Sequence, residues 1–221
     1  LKKVYRQSDK AFINVLDRIR NNTVGAAELQ LLNTRVEKES HTKGDLYITL
    51  ATKRDSVDFI NEQRLEELPG DPICLTGKIE GEFPENSLPT SMKLELKPGA
   101  QVIFVKNDMG KRWVNGTLGT VSGIDMNGEV VHIVTENGHE YDVEQALWSN
   151  IRYHYNEQEK KIEEEVLGTF TQFPIRLAWA ITVHKSQGLT FNRAVIDFTG
   201  GVFAGGQTYV ALSRCTSLDG I

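Results

Sequence analysis

Ala180-Ile181-Thr182-Val183-His184-Lys185-Ser186-Gln187-Gly188-Leu189-Thr190-Phe191 is the stretch on which the fold turns. Its upstream flank, Ile175 to Val183, has the composition of a buried strand, and downstream Ala194-Val195-Ile196-Asp197-Phe198 forms a second such run. Two buried strands with a polar loop after the first are the signature of an α/β layer, which presents its ligand-binding groups on the loops that follow its strands. Thr182, His184, Lys185 and Ser186 put hydroxyl, imidazole and ammonium donors on that loop, a set suited to holding a nucleic-acid backbone without reading bases. In isolation, His184 could equally be a structural histidine and Lys185 a solvated charge.

Working outward, the α/β texture recurs at the start of the chain. Val4 to Arg6 is a short extended piece, and Ser8-Asp9 can cap a helix on which Phe12, Val15, Leu16 and Ile19 repeat at helical spacing. A second short helix is expected from Ala26 to Leu32, then a buried strand over Leu46 to Ala51. Asp55 is placed to cap the next helix, with Val57, Ile60 and Leu68 on one face and Pro69-Gly70-Asp71-Pro72 as its stop. Beyond the central loop, Gly200-Gly201 and Gly205-Gly206 lead to a helix over Gln207 to Arg214, and Leu218 to Ile221 reads as the entry to a strand.

Between these halves the helical period disappears. Gln101 to Val105, Thr117 to Ile124 and Val130 to Thr135 are strand-like, and Asn115-Gly116, Asn127-Gly128 and Asn137-Gly138 are turn signals, together implying a small β-barrel. Glu157 to Glu165 has charges that suit an exposed helix, but its flanks, Ile151-Tyr153-Tyr155 and Gly168-Thr169-Phe170, favour a β-hairpin. The expected architecture is one α/β domain, 1–92 with 173–221, interrupted by a β-barrel and hairpin module at 93–172.

Composition limits the function. The net charge of -5 argues against a protein that coats nucleic acid by bulk attraction, so any such contact must be local. No apolar run approaches the roughly 20 residues a membrane span needs. Cys74 and Cys215 have neither metal-ligand nor redox spacing, so both are expected to be plain core thiols in a reducing compartment, and no metal site is predicted. The opening Leu1-Lys2-Lys3 has no initiator Met or signal core and reads as a cut edge.

Three segments, Val4-Tyr5-Arg6-Gln7, the 180–191 stretch and Tyr209-Val210-Ala211-Leu212-Ser213-Arg214, together resemble motifs IV, V and VI of superfamily 1 helicases. The similarity is to the 5′-to-3′ branch that holds the petite-integration-frequency and RecD-like enzymes. Lys97 to Val102 and Arg112 to Gly119 look like the Src-homology-3-type barrel that this branch inserts in its second RecA-like domain, so the resemblance covers nearly the whole chain. It implies a RecA-like parallel-sheet motor lobe, single-stranded DNA and an N-terminal RecA-like lobe as partners, and a monomer. The compartment would be cytoplasmic in a bacterium, nuclear or mitochondrial in a eukaryote.

The resemblance also assigns roles. Arg6 and Arg214 would reach the γ-phosphate of ATP held by the other lobe, where fixed planar donors stabilise the charge of phosphoryl transfer. Gln7, Gln187, Gly188 and Thr190 would couple the loop to nucleotide, Thr190 standing where the 3′-to-5′ branch has a glutamate. Thr52, Lys53 and Arg54 are a second set of DNA contacts or simply a solvated helix start. Lys111 and Arg112 would add contacts from the insert, while Trp113 either stacks a base or packs in its core.

The sequence contains no Gly-x-x-x-x-Gly-Lys-Ser/Thr string and no Asp-Glu dipeptide, the residues that cradle phosphates and hold Mg²⁺. ATP and Mg²⁺ are therefore expected to be bound mainly by the N-terminal lobe, and this chain alone to be inactive. The alternatives are a non-catalytic single-strand-binding module and the helicase part of a conjugative relaxase.

Overall fold

A computed structural model describes residues 7, 9–36, 46–125 and 127–221. Arg6 and the expected extended piece at Val4 to Arg6 lie outside them, as does Ser8. In chain order come helices α1 (Lys10–Arg20) and α2 (Ala26–Asn33), strand β1 (Ile48–Ala51) and helix α3 (Arg54–Glu66). Ten strands follow: β2 (Ile73–Thr76), β3 (Lys78–Gly81), β4 (Lys93–Leu96), β5 (Gln101–Phe104), β6 (Leu118–Ile124), β7 (Val131–Thr135), β8 (Glu140–Val143), β9 (Ala146–Asn156), β10 (Lys161–Gln172) and β11 (Ile175–Leu177). The chain closes with β12 (Ala180–Thr182), β13 (Ala194–Asp197) and α4 (Gln207–Leu212). It divides into two compact units, one holding the described residues up to Glu66 with Ala178–Ile221, the other Glu67–Leu177.

The first unit carries a parallel sheet in the order β12-β1-β13. Helix α3 covers it through Val57 and Ile60, packed with Ala51 and Ala180. Asn61 fixes the docking: its Oδ1 accepts from Ala180 N at 3.0 Å and its Nδ2 donates to Ala180 O at 2.9 Å, so one carboxamide satisfies both backbone groups of an edge-strand residue. A second cluster joins Phe12 and Leu16 of α1 to Leu212 of α4 and Leu218. Asp9 caps α1, its carboxylate accepting from Ala11 N and Phe12 N.

The second unit is antiparallel. A five-stranded sheet runs β11-β5-β6-β7-β8, a three-stranded one β3-β10-β9, and β2 pairs with β4. Among the described residues β11 and β8 do not pair, so the sheet stays open and no closed barrel is found. The Asn-Gly pairs at 127–128 and 137–138 close hairpins as expected, but a turn reports only the two strands it joins; closure needs the first and last strands to meet. Trp113 is a core residue here, stacked on Phe104 at 4.4 Å.

Six further expectations are corrected. Segment 67–92 belongs with the insert, because its β2 and β3 pair with β4 and β10. The apolar run 175–183 is two strands, β11 in one unit and β12 in the other, since the chain changes unit between Leu177 and Ala178. Asp55 sits inside the first turn of α3, and Leu65 rather than Leu68 completes the buried face. Leu218–Gly220 is a 3-10 turn, with Leu218 buried in the α1–α4 cluster. Cys74 is exposed on β2, while Cys215 is buried and its thiol pushed up to about 12 by desolvation.

Candidate nucleic-acid and nucleotide interface

Because β12, β1 and β13 are parallel and Ala51 is level with both Thr182 and Asp197, all three strands end on one edge. The loop after β12 is folded tightly there. Ser186 N donates to Thr182 O at 3.1 Å, Lys185 N to Thr182 Oγ1 at 3.2 Å and Leu189 N to Ser186 O at 3.0 Å. Gly188, at φ +86, supplies the left-handed residue that such a reversal requires. His184, Lys185, Gln187, Gly188 and Thr190 are exposed and Thr182 half-buried. Ser186 turns inward instead: it is 0% exposed and its hydroxyl donates to Val183 O at 2.7 Å, which commits that donor to bracing the loop.

Thr52, Lys53 and Arg54 follow β1 on the same edge, and Val183 N donates to Ala51 O at 2.9 Å, joining this arm to the loop. Thr52 is buried, and its hydroxyl has no partner among the described residues. Gly200 lies against it: a Cβ there would stand 2.8 Å from Thr52 Oγ1 and 3.1 Å from Lys53 Cγ. Lys53 and Arg54 are exposed, Arg54 Nε 3.3 Å from the Asp58 carboxylate. The open cleft beside them is lined by Asp55, Ser56, Phe59, Ile60 and Asp197; two carboxylates there make it no seat for a phosphate.

Arg214 is only 8% exposed. Its Nη1 donates to Ser186 O at 3.4 Å and Leu189 O at 3.3 Å, its Nε to Val210 O at 3.0 Å and its Nη2 to Ser213 Oγ at 2.9 Å. The guanidinium thus ties the end of α4 into the loop. Gln7 is buried too, its Nε2 donating to the carbonyls of Ser213 at 2.9 Å and Cys215 at 3.0 Å.

In the other unit, Arg112 forms a two-point pair with Asp108, Nη2 to Oδ1 at 2.8 Å and Nε to Oδ2 at 3.1 Å, with its guanidinium 4.4 Å over the Trp113 ring. The pair holds the Asp108 carboxyl down at about 2. Lys111 beside it is exposed at φ +60. The fold therefore gathers Gln7, Thr52 to Arg54, Thr182 to Thr190 and Arg214 in one unit, and leaves Lys111 and Arg112 in the other. Sequence reasoning missed Asn61 and Gly200. Asn61 carried a signal, a polar residue beside Ile60 on the stripe that buries Val57 and Leu65; Gly200 carried none, its neighbours being distant in sequence. Among the described residues no His, Cys, Asp and Glu group could hold a metal ion, and no helix is long and apolar enough to cross a membrane.

No family model matches the chain. It is 34% identical over 226 residues to the ATP-dependent DNA helicase PIF1 of Homo sapiens, a match covering all of this chain and 34% of that protein. With the ATP-dependent DNA helicase Pif1 of Bdellovibrio bacteriovorus it shares 31% identity over 221 residues, 98% of this chain and 47% of the relative. The crystal structure of Bacteroides sp Pif1 in complex with ADP-AlF4 superimposes with a TM-score of 0.87 at 39% identity, covering 99% of this chain and 49% of that one. For Bacteroides Pif1 bound to ssDNA the TM-score is 0.70 at 38% identity, with 99% and 49% covered. The chain spans about a third to a half of the length of the relatives it matches. By sequence along nearly its whole length and by fold, the chain belongs to the Pif1 group of superfamily 1 helicases and corresponds to their C-terminal portion.

Proposed function

We propose that this chain is the C-terminal motor lobe of an ATP-dependent 5′-to-3′ DNA helicase, joining nucleotide turnover to its grip on single-stranded DNA. Thr182, His184, Lys185, Thr52, Lys53 and Arg54 hold the strand backbone from the shared sheet edge, and Lys111 and Arg112 add contacts from the antiparallel module. An N-terminal RecA-like lobe holds ATP and Mg²⁺, and the protein works as a monomer. The matches name helicases, so neither the non-catalytic binder nor the relaxase reading has an observation in its favour.

One observation carries the proposal: the Arg214 guanidinium donates to the carbonyls of Ser186 and Leu189, inside the loop whose outer face bears His184 and Lys185. An arginine that exchanges those carbonyls for γ-phosphate oxygens loosens the loop as it engages, so that occupancy of the nucleotide site is felt at the strand. The fit to ATP is partial by design: Arg6 and Arg214 offer charge to the phosphates, while the phosphate-cradling string is absent from this sequence.

The test is Arg214→Ala in the full-length helicase. Loss of a preorganised charge stabiliser costs about 2 to 4 kcal/mol in activation free energy, so strand-stimulated ATP turnover should fall by roughly 30- to 1,000-fold. Turnover equal to the parent's would remove Arg214 from the phosphate site.

A further inference from the structure

We infer that Gln7 is a positioning residue that sets the place of Arg214, an inference resting on the phosphate-sensing reading of that arginine. Gln7 is 7% exposed, and the two protons of its amide nitrogen are directed at two main-chain carbonyls, Ser213 O at 2.9 Å and Cys215 O at 3.0 Å. Those carbonyls belong to the residues on either side of Arg214. Between them the Arg214 main chain is itself held, its N–H donating to Ala211 O at 3.1 Å and its carbonyl accepting from Phe191 N at 2.9 Å.

A carboxamide nitrogen has two protons, so Gln7 has no donor left for nucleotide or DNA. With two carbonyls facing one end of the side chain, that end must be the nitrogen, which fixes the orientation of the amide. The clamp spans 206 residues of sequence and closes on the segment that carries Arg214. Catalysis by a charge reaching into another lobe is sensitive to placement, where a shift of about 1 Å can cost on the order of 100-fold in rate. Gln7 touches no reacting group and acts only through its neighbours.

The experiment uses the full-length helicase with Gln7→Met, nearly the same length without donors, and Gln7→Glu, the same shape with acceptors facing carbonyls. Gln7→Met should lower the maximal strand-stimulated turnover of ATP by about 10- to 100-fold, with KM for ATP and affinity for a labelled oligonucleotide within about twofold of the parent. In an Arg214→Ala background the same substitution should add less than about twofold, because the clamp has nothing left to place. Gln7→Glu should regain rate as pH falls, since the protonated carboxyl recovers one donor, a dependence the parent lacks; this arm decides alone if Gln7→Met does not fold. A parental rate for Gln7→Met, an equal loss with and without Arg214, or a flat pH profile for Gln7→Glu overturns the inference. Parental turnover of Arg214→Ala alone instead overturns the sensing reading beneath it.

Discussion

His132 on β7 sits between two carboxylates, its Nδ1 2.7 Å from Asp142 Oδ1 and its Nε2 3.0 Å from Asp125 Oδ1. Hydrogen bonds to Asp125 first and Asp142 second raise its pKa above the usual histidine value, because both favour the imidazolium. A pKa raised by folding means stabilisation that is complete below the unfolded value of about 6.5 and is lost as pH rises through the folded one. The thermal midpoint should therefore decline across that window, and His132→Gln should flatten the decline; superimposable profiles for variant and parent would refute it. Such pairings show what single residues in a sequence conceal. Ser186 and Arg214 were legible as chemistry-bearing types at a helicase-like spacing, yet nothing local says that the serine turns inward onto Val183 O or that the arginine lies along the loop. Gln7 is the limiting case, since its partners are more than 200 residues away and no periodicity encodes them.

Elements were most legible where two faces differ in character. Of the charges in 157–165 that could have belonged to a helix, Glu163 and Glu165 are cross-strand partners in the β9–β10 hairpin, facing His154 and Arg152, while Tyr155 faces Ile162 and Ile151 faces Val166 on the other side. The alternation at Ile151, Tyr153 and Tyr155 was the correct guide because strand side chains alternate with period 2. Less legible was the run at 175–183, whose uniform apolar character does not mark the point where the chain passes from one unit to the other. Within the hairpin, Gly168 meets the end of β3 so closely that a Cβ would stand 2.4 Å from Glu82 N and 2.5 Å from Glu82 O, at the place where the register with β9 shifts. Backbone atoms cannot swing aside as a side-chain tip can, so Gly168→Ala should cost about 1 to 3 kcal/mol of stability. Gly205→Ala, with nothing within 4 Å of the new Cβ, is the matched control. Equal urea midpoints for the two variants would show that the β3–β10 contact yields without cost.

At the scale of the whole molecule, the interruption of an α/β unit by an antiparallel one was legible in the change of texture, but its borders were not, because β2 and β3 declare their membership only through strands far along the chain. Charge acts at this scale too. A net charge of -5 gives no general attraction for a polyanion, so the proposed grip on a strand would have to come from the few cations on the sheet edge, among them Lys53 and Lys185. Arg54 is partly neutralised by Asp58, and Lys185 is the exposed lysine of the loop after β12, placed to displace a counterion from the loop side. Each cation that neutralises a phosphate of a single strand adds about 0.7 to the slope of log affinity against log salt. Lys185→Ala in the full-length helicase should therefore weaken oligonucleotide binding at low salt and reduce that slope by about 0.7. Lys10→Gln, which removes the same charge from the exposed start of α1, should leave the slope unchanged. Anisotropy titrations over a salt series separate the cases: parallel lines for Lys185→Ala and the parent would mean that this ammonium neutralises no phosphate, however the loop is folded.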